Sequence, residues 1–182
     1  MNEAAVLNDM GRSLGYVKEK IRDVVKELLP DWQLKAIEGE NNEICRMLDM
    51  SCGIDYLFYS QTKSQIYGVA SRVQYGQNYR TFTVRKSRES GVITEYEKIK
   101  LAMYHKSIFP YCHIQAYITN ERVTGLAIVK TVDLIHFIDC NLAEVKRTNA
   151  DKIGQAEFYV CQWDKIKSCG DKVLEYKEGD SL

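Results

Sequence analysis

A chain of 182 residues with 45% apolar and 27% charged side chains is long enough to bury one full core, and its balance is that of a globular domain rather than a fibrous or disordered segment. Lys and Arg number 25, as do Asp and Glu, so no global field draws the molecule to nucleic acid or to an anionic membrane, and such a partner must be met by a local patch. No apolar run approaches the roughly 20 residues of a membrane-spanning helix, and the expectation is a single domain over residues 1–182 in the cytoplasm, with no membrane partner.

Apolar residues at helical spacing from Leu14 to Leu29 predict an N-terminal helix, which Pro30 ends. The segment from Asp31 to Glu40 is compatible with a strand, and Glu43 to Met50 with either a short helix or an extended lead-in. Strands are expected at Ile54 to Tyr59, Ile66 to Tyr75 and Tyr79 to Arg85, separated by short polar turns, so that the three form a meander. Ser90 and Gly91 break the pattern. Thr94 to Lys106 then reads as a helix with Tyr96, Ile99 and Met103 inward and Glu95, Lys98 and Lys106 outward. Tyr111 to Ile118 and Thr124 to Lys130 are further strands, Thr131 caps a helix running to Ile138, and Glu157 to Gln162 is a last strand before a loose acidic tail. A core over about 42–138 is thus followed by a C-terminal strand and tail over 155–182.

Six cysteines, at positions 45, 52, 112, 140, 161 and 169, show no C-x-x-C and no metal-finger spacing. No cleavable apolar leader opens the chain. Reduced, buried thiols are the expectation.

Gly53-Ile54-Asp55-Tyr56-Leu57-Phe58 sets an acid at the head of one strand, and Val69-Ala70-Ser71-Arg72-Val73-Gln74 sets a guanidinium on the next. A carboxylate among β-formers is costly without a cation, and a metal ion or an arginine is the usual partner. Because side chains change face at every residue of a strand, Arg72 and Gln74 share one face. Asp55 and Arg72 make either a functional site or a structural ion pair.

This arrangement resembles the PD-(D/E)xK restriction-endonuclease-like superfamily, with Asp55 as the first acid and Arg72 where that family's lysine stands. Ala70 and Ser71 leave the second acid to another element, with Glu43, Asp49, Glu95 and Glu97 as candidates. The resemblance spans roughly Asn42 to Phe137. It implies an α/β (α+β) fold, a mixed central β-sheet flanked by helices around a restriction-endonuclease-like core. It also implies Mg²⁺ held by Asp55, with Gln74 as a carbonyl donor and Arg72 clamping phosphate during phosphodiester hydrolysis, or a degenerate version that binds DNA or RNA without cutting.

Between Tyr75 and Arg88, aromatic residues interleave with Arg80, Arg85, Lys86 and Arg88, a mixture that offers bases a stacking surface and phosphates a set of cations. The same pattern also suits an amphipathic strand with a charged outer face. His113, Gln115 and Tyr117 read as the polar outer face of their strand. The alternative from another class is a non-catalytic module that presents this sheet to a protein partner.

Overall fold

A computed structural model describes residues 18–37, 40–148 and 156–177. The start of the expected N-terminal helix and the tail after Gly179 lie outside these residues. Helix α1, residues 18–28, is followed by β1 (Gln33–Ala36), α2 (Glu43–Cys52), β2 (Tyr56–Ser60), β3 (Gln65–Tyr75) and β4 (Thr81–Arg88). Then come α3 (Glu95–Tyr104), β5 (Cys112–Thr119), β6 (Arg122–Lys130), α4 (Thr131–Asp139), β7 (Glu144–Thr148), β8 (Ala156–Gln162), α5 (Trp163–Ser168) and β9 (Val173–Lys177). The fold is mixed α/β, with one six-stranded mixed sheet and a second sheet of three strands.

The large sheet runs β1-β2-β3-β5-β6-β9, and β5 lies parallel to β3 while every other neighbouring pair is antiparallel. The parallel step requires a crossover, which α3 supplies. Alternation along the strands divides two cores. One face of the sheet carries Tyr56, Phe58, Val69, Cys112, Ile114 and Ala116 and packs against Ile21, Val24 and Val25 of α1. On the other face, Tyr117, Ala127 and Val129 meet Ile99 of α3, the apolar side of α4, Trp163 and Ile166 of α5, and Phe82, Val84 and Cys161 of the small sheet. Among the described residues, no helix is long and apolar enough to cross a membrane.

The expected meander of three strands is corrected at its third member. Strand β4 leaves the large sheet and joins β8 and β7 in the order β4-β8-β7. The turn after β3 carries it there. Asn78 Nδ2 donates to Thr124 O at 3.2 Å, and Asn78 Oδ1 accepts the Arg80 N–H at 3.0 Å. Asn78 lies so close over Gly125 that a Cβ there would overlap its side-chain amide, so glycine at this point of β6 makes room for the crossing chain. The place beside β3 is then taken by β5.

Two further expectations change. Thr131 is the first residue of α4 rather than its cap, which is Lys130. His113, Gln115 and Tyr117 are buried rather than outward, because the small sheet covers that face. Tyr117 Oη donates to Thr81 O at 2.8 Å and accepts the Thr81 N–H at 3.2 Å. Gln115 Oε1 accepts both the backbone N–H and the hydroxyl of Thr83, at 3.3 and 3.2 Å.

Replacing Tyr117 with Phe keeps the ring and removes the hydroxyl from Thr81. Buried partners left unpaired cost about 1–3 kcal/mol, so Tyr117→Phe should lower stability by that amount, read as a lower urea midpoint at an unchanged denaturant slope. An unaltered midpoint would mean that this contact does not hold the two sheets together.

Candidate functional site

Asn42 caps α2, its Oδ1 accepting the N–H groups of Ile44 at 2.8 Å and Cys45 at 3.3 Å. Gly53, at φ 68°, ends the helix in the left-handed conformation, with Gly53 N–H on Asp49 O and Ile54 N–H on Leu48 O. The glycine of Gly53-Ile54-Asp55 is therefore a helix terminator that turns the chain directly into the sheet. Asp55 is then held by its backbone on both sides, its N–H on Val69 O at 2.8 Å and its carbonyl on Ile37 N–H at 3.0 Å. Its carboxylate lies against β3, where Oδ2 accepts the Ser71 N–H at 2.6 Å.

Arg72 makes its ion pair with Glu95, at 2.8 Å. Glu95 is the first residue of α3, and Thr94 starts that helix with a reciprocal capping box in which Glu97 takes part. A carboxylate in the first turn is favoured by the helix dipole. Glu95 Oε2 also accepts the Arg85 N–H at 3.3 Å, and Oε1 stands 3.6 Å from His113 Nδ1. One carboxylate thereby ties α3 to β3, β4 and β5. Burial pushes the His113 imidazole below its ordinary pKa; Glu95 pulls upward against this and Arg72 adds to it.

Asp55, Ser71, Arg72 and Glu95 line one cleft of about 260 Å³ together with Arg85, Arg88 and Lys98. Four cationic side chains there face two carboxylates. The guanidinium groups of Arg72 and Arg85 both lie on the ring of Phe158, 5.0 and 5.4 Å from its centroid. Glu95 serves the Arg72 side chain, whereas Arg85 Nε is buried without a hydrogen-bond partner. Among the described residues, no carboxylate pairs with Arg85 or Arg88.

The other expected site residues are dispersed. Gln74 shares the Arg72 face but lines a second cavity rather than this cleft. Arg80 is engaged by Asp164 at 2.9 Å and Glu175 at 3.0 Å and lies over Trp163. Lys86 is paired with Glu157 at 3.2 Å. Arg85 and Arg88, three residues apart, would point to opposite faces of a regular strand; a β-bulge between Arg85 and Ser87 restores them to one cleft. Lys98, read from sequence as an outward helix position, also lines the cleft, and its Nζ donates to Met50 O. Of the alternative acids considered, Glu95 reaches the cleft.

A hard divalent cation takes about six oxygen ligands, several of them anionic. Here Glu95 is committed to Arg72 and the Arg85 N–H, Asp55 Oδ2 to the Ser71 N–H, and the remaining walls are cationic. Among the described residues, no three His, Cys, Asp or Glu side chains are grouped to hold a metal. This donor set does not fit Mg²⁺ as it is arranged; it fits an anion.

A buried neutral histidine gives stability a definite pH dependence. As pH falls through the ordinary histidine range near ~6.5, the unfolded chain takes up the proton first, so stability declines from there downward. Urea midpoints between about pH 7 and 5 should therefore drop more for the parent than for His113→Gln. Equal slopes would mean that His113 does not titrate differently in the two states. No family model matches the chain, and neither the curated proteins nor the solved structures contain a match to it.

Proposed function

We propose that this protein is a nuclease-like nucleic-acid-binding protein whose cleft grips phosphate without cutting it. The observation that carries this reading is the excess of cations in the cleft, where Arg72, Arg85, Arg88 and Lys98 face Asp55 and Glu95, and Glu95 is already taken up by Arg72. Guanidinium and ammonium groups left without a carboxylate favour an anion, and a phosphate supplies both acceptors and compensating charge. Tyr75 at the end of β3 and Tyr79 on the turn after it are exposed and available to stack on bases. Part of the sheet order supports the resemblance, since Asp55 heads β2, Arg72 sits on the adjacent antiparallel β3 and α3 crosses to a parallel β5, although β4 leaves that sheet. All six cysteines are free, which suits the reducing cytoplasm, although only Cys112 and Cys161 are buried and Cys140 and Cys169 are exposed, contrary to the expectation of buried thiols.

The test is anisotropy of labelled single- and double-stranded DNA and RNA from about 50 to 200 mM salt. Arg88→Glu and Lys98→Glu should each weaken binding about tenfold or more and flatten the salt dependence by about one phosphate contact. Arg80→Glu, on a side chain already engaged by Asp164 and Glu175, should have no comparable effect beyond any loss of folding. Cleavage in Mg²⁺ or Mn²⁺ that disappears in Asp55→Asn would replace binding with hydrolysis. Absence of any complex at low salt would favour the protein-interaction reading, to which the exposed Ile44, Met47 and Met50 of α2 lend support.

A further inference from the structure

A second cavity, of about 500 Å³, lies between the large and small sheets and is lined by Arg72, Gln74, Tyr79, Thr81, Thr83, Lys146, Phe158 and Val160 among others. Its size lies within the range of small-molecule sites. Its chemistry is selective. Among the described lining residues, two cations, Arg72 and Lys146, contribute to the walls and no carboxylate does, although the chain as a whole is electrically balanced. Phe158 and Val160 supply apolar walls. Gln74 brings an amide that can both donate and accept. Tyr79 is 56% exposed, and its ring meets Tyr117 edge-on at 6.4 Å rather than stacking on it. The cavity therefore offers a flat apolar contact, a polar edge and positive charge.

Arg72 lines this cavity and the phosphate cleft alike. From this shared wall we infer that the inter-sheet cavity receives the base of one nucleotide unit while its phosphate lies at Arg72, Arg85 and Arg88. The inference rests on the phosphate-gripping reading above and names its substrate class. A planar heteroaromatic base has an apolar face for Tyr79, an apolar rim for Val160 and Phe158, and a hydrogen-bonding edge for Gln74. A base paired within a duplex cannot enter, so the ligand is either a single-stranded stretch of polynucleotide or a free nucleotide.

Four probes decide the matter, namely a labelled ten-residue single strand, a strand of the same length made wholly abasic, a blunt duplex, and dAMP measured by calorimetry. Tyr79 and Lys146 are exposed, so Tyr79→Ala and Lys146→Ala should leave folding intact, which thermal melts would check. The single strand is expected to bind about tenfold or more tightly than either the abasic strand or the duplex, and Tyr79→Ala should remove about tenfold of its affinity. Equal affinity for all three polymers, unchanged in Tyr79→Ala but still weakened in Arg88→Glu, would overturn the base cavity and leave the phosphate cleft standing. Binding of dAMP that depends on Tyr79, without binding of any polymer, would assign the cavity to a free nucleotide and remove the nucleic-acid reading. No binding of any probe would overturn both.

Discussion

The molecule depends on a buried polar clamp between its two sheets. Tyr117 and Gln115 on β5 reach across to the backbone and hydroxyl groups of Thr81 and Thr83 on β4. Each bond is modest in net stability, but misalignment would strand several buried donors and acceptors, and that cost fixes the position of β4 against β5. Apolar packing around Phe82 and Trp163 supplies adhesion without direction. Both cavities follow from this placement, because β4 and β8 stand over the Arg72 face of β3 instead of extending the sheet beside it.

Much of the large sheet is legible in the sequence because its signals are local. Alternation and turn residues mark β2, β3, β5 and β6, and the apolar stripe of Tyr96, Ile99 and Met103 marks α3. The partner of β4 is not marked. Its pattern of buried Phe82 and Val84 alternating with Thr81 and Thr83 suits any sheet, and its true neighbour β8 lies far along the chain. Strands β7 and β9 and helix α5 are short, with weak periodicity. The polar residues His113, Gln115 and Tyr117 are misleading for a physical reason: their face is covered by a second sheet, whose β4 bonds Gln115 Oε1 and the Tyr117 hydroxyl, so polarity there reports a clamp rather than solvent.

The site was half legible. Asp55 and Arg72 do line one cleft, but the side chain that pairs with Arg72 is Glu95. No spacing rule predicts that a helix would start over β3 in the right place for its first residue to reach Arg72. The bulge that aligns Arg88 with Arg85 is equally silent, since one extra residue in a strand changes no composition. The glycine before Asp55 is explained in full by helix termination, which shows how a family-like motif can have a purely local cause.

Glu95 reconciles stability with the proposed binding. It joins α3 to β3, to the β4 backbone and to the neighbourhood of His113, and by neutralising Arg72 it lets that side chain remain half-buried on Phe158 without a ligand. Arg85 shares the same ring and has no such counterion among the described residues. The two arginines therefore play different parts, one completing the fold and the other leaving a polar deficit at the cleft. A deficit of this kind survives because the surrounding contacts fix it in place. On the proposed reading, an anion in the cleft supplies counter-charge to the cations that the folded chain leaves without a carboxylate, and that interaction is part of the driving force for binding.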